Sequence, residues 1–480
     1  MKKLPIRKFL LGCVSTLIFV ALVVVALIIA RGNVLTTEGI LATGSIRFNV
    51  TPSGNYEVFL NEQGQKISNN SIASISPGNY ELKITKTGYT SWQQSIVVHA
   101  GLVTDITVQL FPQELQLEQM SKTNIDKVFF SPTQHYVYYS ITNYPLGTSV
   151  GIWKETLQQS NIPLIEERPL KITNITPAIE SAVLGSKFKI KPSLDDGKIL
   201  LITDSATYVL DATRYNEPDA TTLLNISYPI DDIEWLRGSS NLIIRSGNIL
   251  IDYDLGAKTS TIITYTSDKA PIYTVTMESV IYTLNNELYK YTPGNNALIA
   301  LENVALPANI SRIRSGSLSD KNIVLEADST LYYLNISESY LTQIGTYNLV
   351  SLSPTGRSLI VVSGEKIESV EINISLVQNT VETVKRATGL VADINADGII
   401  WDQQSNFFVF QNKSETDRIY SADFSGNNIN LLLFSDSITS PAYFGIPANN
   451  SGLIVKLLDS QDQSSAGEIR ANLYTLSFSQ

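Results

Sequence analysis

VFFSPTQHYVYYS (128–140) and VSLSPTGRSLIVVS (350–363) share Ser-Pro-Thr and the hydrophobic strand that follows it. KIKPSLDDGKILLIT (189–203) is a third variant of the phrase. DIEWLRGSSNLIIRS (232–246) lines up with GIIWDQQSNFFVFQN (398–412), which places Trp235 and Trp401 in the slot of Ser131 and Ser353. A phrase of the form x-Y-x-L-D comes later in the units, as TYVLDA (207–212), ILIDYDL (249–255), LYYLNI (331–336), RIYSAD (418–423) and LYTLSF (473–478). Short apolar runs bounded by Gly, Asn, Asp and Ser turns read as strands.

Working outward, a strand, a polar turn, an apolar strand and a third strand recur at a spacing of about 40–50 residues, which predicts a β-propeller with one four-stranded blade per unit. Unit starts near 124, 188, 232, 271, 311, 348, 397 and 440 give eight blades, or seven if the weak units at 271 and 311 are divided differently. An insertion around 142–180 stretches the first unit, and no amphipathic helix is expected between 114 and 480. The last unit has three strands, so ELQLEQM (114–120) is expected to supply its fourth and close the ring. Closure removes the free sheet edge that invites aggregation. SPTGRSLIVV and SPTQHYVYYS resemble the WD40-like repeat of periplasmic Tol-type propellers, although Thr133-Gln134 and Thr355-Gly356 stand where that repeat has Asp-Gly. The resemblance implies the architecture and no particular activity.

Between residues 44 and 112 the pattern is also β. SIRFNV (45–50), YEVFL (56–60), NYELKITK (79–86), 95–98 and 105–110 read as five strands of a small antiparallel sandwich. In the third, Tyr80, Leu82 and Ile84 share one face. From Thr43 to Pro112 the stretch resembles the PEGA domain, chiefly in Pro77-Gly78, Lys86, Gly88-Tyr89 and Trp92. That resemblance implies an extracytoplasmic adhesion or spacer module without catalytic residues.

Ahead of it, FLLGCVSTLIFVALVVVALIIA (9–30) has 22 residues without a charge or a proline. As a helix it would be roughly 33 Å long, against about 30 Å of bilayer hydrocarbon. Lys2, Lys3, Arg7 and Lys8 precede it and Arg31 follows. The bias predicts a single-pass anchor with residues 1–8 in the cytoplasm and everything beyond a 31–43 linker outside. The run is too long for a cleaved signal, and Cys13 lies too early in it for a lipoprotein box. No cysteine remains beyond the membrane, so packing alone must hold the exported part. Its NxS/T triplets read as products of composition.

Net charge is −10, and the part after residue 31 carries 30 basic against 45 acidic groups. Such a body repels phosphate backbones, which argues against nucleic-acid binding. Two histidines and one cysteine exclude a zinc cluster and leave little for histidine-based catalysis. Gly147-Thr148-Ser149-Val150-Gly151 matches GxSxG, but a hydrolase elbow needs a helix after it, and here another strand follows. Asp393, Asn395 and Asp397, with Gly398, occupy positions 1, 3, 5 and 6 of a calcium loop. Trp401 and Gln404 replace two further ligands, so an inter-blade turn without required metal is expected. The tyrosines fall mostly at strand positions where aromatics are good strand formers, while Trp153, in the insertion, is the one aromatic expected to serve binding. No cofactor is expected. These readings point to a non-enzymatic, membrane-tethered extracytoplasmic scaffold that presents a propeller to an envelope protein or polysaccharide. The alternative is a ligand-recognising sensor or accessory subunit acting through a separate membrane partner.

Overall fold

The protein is described from a computed structural model, which covers residues 14–23, 33–36, 39–121, 124–142, 150–157, 169–172, 177–185, 187–214, 221–267, 269–299, 305–363, 366–375, 380–390, 393–394, 398–439, 442–459 and 470–478. The chain divides into two compact units, Met1–Glu114 and Leu115–Gln480.

In the first unit, residues 14–23 form a helix whose Val14, Leu17, Ile18, Phe19, Val20, Leu22 and Val23 are all exposed. Among the described residues no helix is long and apolar enough to cross a membrane. Residues 9–13 and 24–30 of the expected span lie outside them. Within the stretch read as a linker, Asn33–Thr36 pairs antiparallel with Gly39–Ala42 as a hairpin.

Two small sheets follow. One has the order Gln63–Gln65, Glu57–Leu60, Gly78–Thr85, Trp92–Val98, and the other Ser71–Ile75, Gly44–Thr51, Val103–Gln109. Their inward faces share one core that includes Ile46, Phe48, Leu82, Ile84, Trp92 and Val108. The sandwich is not all antiparallel as expected. Gly44–Thr51 runs parallel to Val103–Gln109, from Ser45 opposite Val103 to Thr51 opposite Gln109. Alternation reports which face is buried but not strand direction, and the intervening strands supply the long crossover that a parallel pair requires. The residues that carried the family resemblance are structural. Lys86 Nζ donates to the carbonyls of Pro52 and Ser53 at 3.0 and 2.9 Å and lies 4.8 Å from the Tyr89 ring centre. Gly88, at φ 82°, occupies the left-handed conformation that this turn needs.

Among the described residues the second unit forms eight successive four-stranded antiparallel sheets, numbered in chain order by their first strands: Ile125–Phe130, Phe188–Pro192, Asp232–Leu236, Tyr273–Val275, Ile310–Ser315, Asn348–Leu352, Ile400–Trp401 and Phe444–Gly445. This is the architecture of a β-propeller. In sheets 1–7 the four strands follow in sequence order. Sheet 8 takes its fourth strand from Leu117–Gln119, with Leu117, Glu118 and Gln119 opposite Leu476, Thr475 and Tyr474 of Arg470–Ser477. The ELQLEQM segment thus supplies the fourth strand that the last unit was expected to lack.

Ser-Pro-Thr encodes a turn between the first two strands. The Oγ atoms of Ser131, Ser193 and Ser353 accept the backbone N–H groups of Tyr136, Lys198 and Ser358 at 3.2, 3.0 and 3.0 Å. In sheet 7 a carboxylate oxygen of Asp402 accepts from Phe407 N at 2.9 Å. Such side-chain-to-backbone bonds shape the turn without glycine or proline at every position. Three residues after the cap, Gln134, Asp196, Gly356 and Ser405 all have positive φ. Asp402 is therefore the counterpart of Ser131 and Ser353, one residue beyond the slot the sequence assigned to Trp401. Trp401 lies opposite Phe408, as Phe130 lies opposite Val137 and Leu352 opposite Leu359. A slip of one residue turns a strand side chain to the other face. Both tryptophans accordingly reach the first strand of the preceding sheet, with Trp235 Nε1 donating to Lys191 O at 2.7 Å and Trp401 Nε1 to Ser351 Oγ at 2.9 Å.

The same turns link neighbouring sheets all the way round. Thr133 bonds Asp196, Ser239 bonds Asp195 (2.8 Å), Arg237 N bonds Met277 O (3.1 Å) and Glu278 N bonds Asp320 (3.0 Å). Asn322 then bonds Thr355 O (3.1 Å), Thr355 bonds Ser405 (3.0 Å), Asn450 bonds Asp402 (3.3 Å) and Ala448 N bonds Gln134 O (2.9 Å). One departure from expectation is a short helix, Pro177–Leu184, which buries Ile179 and Val183 against Phe188 and Ile190. Two inward residues, four apart, are too few to show as a helical period.

Candidate functional site: a recessed cavity on the first strands of sheets 2 to 5

Of the residues singled out in the sequence, few meet. Gly147–Ser149 lie outside the described residues, and Gly151 opens a strand, Gly151–Thr156, where a hydrolase elbow would need a helix. Asn395 and Asp397 also lie outside them. A carboxylate oxygen of Asp393 accepts the N–H of Ser414 at 2.7 Å, tying this turn to the loop after Phe410. Trp153 is not in a loop. It sits in the third strand of sheet 1, opposite Tyr139 and Lys171, and packs against the core formed with Ile125, Val128 and Leu157. The insertion therefore contributes two strands of the sheet, and Trp153 has a packing role.

The constructed polar site lies elsewhere. First strands of successive sheets approach one another: the Tyr273 hydroxyl donates to Asp232 Oδ2 at 2.8 Å, and the Thr274 and Ser315 hydroxyls are 3.2 Å apart. Between them opens a cavity of about 580 Å³, within the usual range of ligand sites. Ile190, Pro192, Leu194 and Val275 contribute apolar lining, and Lys191, Asp232, Glu234, Tyr273 and Ser315 contribute polar lining. Lys191 Nζ is fully engaged, donating to Glu234 Oε1 at 2.6 Å, Ile233 O at 2.8 Å and Asp232 Oδ1 at 3.5 Å. The Glu234 and Asp232 side chains remain 42% and 40% exposed.

Two carboxylates and one ammonium leave one net negative charge in this recess. Burial pushes the Glu234 carboxyl above its ordinary range, and Lys191 offsets that only in part. Burial acts upward on Asp232 too, but the Tyr273 hydroxyl, Lys191 and the Ile233 N–H outweigh it and hold Asp232 low. Burial, followed by the neighbouring Asp232 charge, pushes the Tyr273 phenol upward, so it remains a donor. The group is equipped to bind and orient a ligand. The sequence hid it, because Lys191, Asp232, Tyr273 and Ser315 each look like ordinary strand or strand-end residues about 40 positions apart. Among the described residues no cluster of three His, Cys, Asp or Glu side chains could hold a metal ion.

A second buried acid lies in the same strand as Trp153. Glu155 is buried, and burial raises its carboxyl to about 7, a hydrogen bond from Tyr139 acting the other way. A carboxyl raised by folding from its ordinary value of 4.5 favours the native state when protonated. Its contribution is complete below about pH 4.5 and is lost as pH rises through about 7. Glu155→Gln should therefore be more stable relative to wild type at pH 8.5 than at pH 5, by about 3 kcal/mol at most. Denaturant midpoints of both proteins across this range test it, and parallel curves would refute it.

No family model matches the chain, and no curated protein matches it. Solved structures do resemble it. The WD40 domain of SCAP from fission yeast shares 8% identity at a TM-score of 0.44 and covers 76% of this chain and 98% of its own. Kluyveromyces lactis Hsv2p shares 11% identity at a TM-score of 0.37, covering 74% of this chain and 97% of its own.

Proposed function

We propose that this chain is a membrane-tethered extracytoplasmic binding protein, in which a PEGA-like module spaces an eight-bladed, WD40-like propeller from the bilayer. The propeller acts by binding rather than catalysis, and its docking face is the mouth of the cavity on sheets 2 to 5, where an envelope protein partner is received. The observation that carries this reading is the cavity itself, where apolar and charged lining residues converge from four adjacent sheets. Support for the tether comes from the uncharged 9–30 run, with basic residues ahead of it, and from the wholly exposed apolar face of helix 14–23. A loop-rich rigid ring is a common frame for recognition.

Two measurements test it. Protease added outside cells stripped of their outer wall should digest the propeller and leave a membrane stub; a propeller protected until the membrane is breached would reverse the orientation. Purification in mild detergent should retain a stoichiometric protein partner, and a cavity-filling Ser315→Trp variant that folds should lose it. Equal recovery with both proteins would remove the cavity from the docking face.

A further inference from the structure

The cavity also carries a statement about the chemistry of what enters it, which rests on the reading of its mouth as the docking face. We propose that it takes an aliphatic cation, an alkyl stem ending in an ammonium or guanidinium group, as presented by a lysine or arginine on a partner's loop. Three features lead there. First, the lining charge is unbalanced: Asp232 and Glu234 share one lining ammonium, that of Lys191, and the nearby Arg245 guanidinium is paired with Asp231. Second, Lys191 has spent its donors on Glu234 Oε1, Ile233 O and Asp232 Oδ1, so it cannot serve an incoming anion. Among the described residues Glu234 Oε2 has no protein donor, and the neighbouring Ser315 and Thr274 hydroxyls can also accept. Third, Ile190, Pro192, Leu194 and Val275 add apolar lining to the same cavity. A long side chain that lays its methylenes on such a lining and its charge against carboxylates satisfies both at once. An anionic or neutral apolar ligand would leave the carboxylates uncompensated. The acidic body, with 30 basic against 45 acidic groups after residue 31, would draw such a partner in.

The test is calorimetric titration of the full chain in detergent with three probes: acetyl-Gly-Lys-Gly-amide, its norleucine counterpart, and 1,5-diaminopentane. The lysine peptide should bind, and the norleucine peptide should bind at least about tenfold more weakly. Glu234→Gln should weaken the lysine peptide about tenfold, whereas Lys191→Gln, at pH 8, should strengthen it severalfold. Misfolding cannot produce opposite signs, so the pair remains informative if one variant is destabilised. Binding of both amines, or of the diamine alone, supports the cation chemistry; the second result assigns the source to a free polyamine rather than a protein loop. Equal binding of the lysine and norleucine peptides, or indifference to Glu234→Gln, would overturn the proposal. A partner that co-purifies equally with wild type and Glu234→Gln would overturn this inference and leave the docking reading standing. Lysine-peptide binding with no co-purifying partner would do the reverse.

Discussion

Deleting residues 115–121 is expected to destabilise the whole large unit. Leu117, Glu118 and Gln119 form the fourth strand of sheet 8. The chain then continues the contact: the Met120 and Ser121 N–H groups both reach Leu473 O, at 2.8 and 3.2 Å, and the buried Ser121 Oγ accepts from Leu473 N at 3.1 Å. This segment joins the two ends of the unit, so its loss frees an edge of Arg470–Ser477 and unpins the point where sheet 8 meets sheet 1. Backbone hydrogen bonds are worth about 1 kcal/mol net each, so some 5 kcal/mol is at stake, comparable with the stability of an ordinary domain. A thermal melt followed by far-ultraviolet circular dichroism should show a loss of ten degrees or more, with increased aggregation from the open edge. Glu118→Lys provides the control, because Glu118 is exposed and its backbone pairing is kept. A deletion variant that melts within a degree or two of wild type would show that the ring is held without this strand.

The sequence disclosed this closure, and the reason is physical. A unit repeated many times sets an expected strand count, so a last unit with only three strands points to the segment that must supply its fourth. The turn serines are similarly legible, since the caps at Ser131, Ser193 and Ser353 perform the same hydrogen bond. What stayed hidden needs knowledge of direction or convergence. The parallel pairing of Gly44–Thr51 with Val103–Gln109 leaves no trace in either strand's pattern. Trp153 looked like an aromatic in an insertion because the strands there are interrupted, yet it pairs with Tyr139 inside sheet 1. The cavity was least visible of all. Its lysine and glutamate lie 43 residues apart, and the contact between them depends on how sheets 2 and 3 are placed around the ring. The ion pair's value also depends on that placement, because a partly buried charge is costly unless a neighbouring element supplies its partner.

Gly316→Ala is expected to damage the ring from the opposite side. Gly316 directly follows the first strand of sheet 5, Ile310–Ser315, at the turn toward the next strand. A Cβ placed there would fall 2.6 Å from both Gly356 N and Ser353 O, and closer still to Pro354 O. All three are backbone atoms of the serine-capped turn of sheet 6, so no side chain can rotate away. That turn is itself held by Gly356 N donating to Ser353 O at 2.9 Å and Ser358 N donating to Ser353 Oγ at 3.0 Å. It is joined to sheet 5 by Leu318 N donating to Pro354 O at 2.9 Å. One methyl group must therefore separate two sheets or break the bonds that join them. Overpacking a tight site costs about 1–3 kcal/mol and more where backbone must move, so about 3 kcal/mol is expected in chemical denaturation. Gly256→Ala is the matched control, because its Cβ would meet only the Asp254 carboxylate, at 3.3 Å, a contact relieved by a shift of a few tenths of an ångström. The damage should also reach the cavity. Ser315, the preceding residue, donates to Val275 O at 3.2 Å and lies against Thr274, so a displaced turn would pull on the wall shared with sheet 4. Gly316→Ala should thus weaken lysine-peptide binding as well as stability, while Gly256→Ala changes neither. A Gly316→Ala protein as stable as wild type would mean that sheets 5 and 6 are held less closely than their turns indicate.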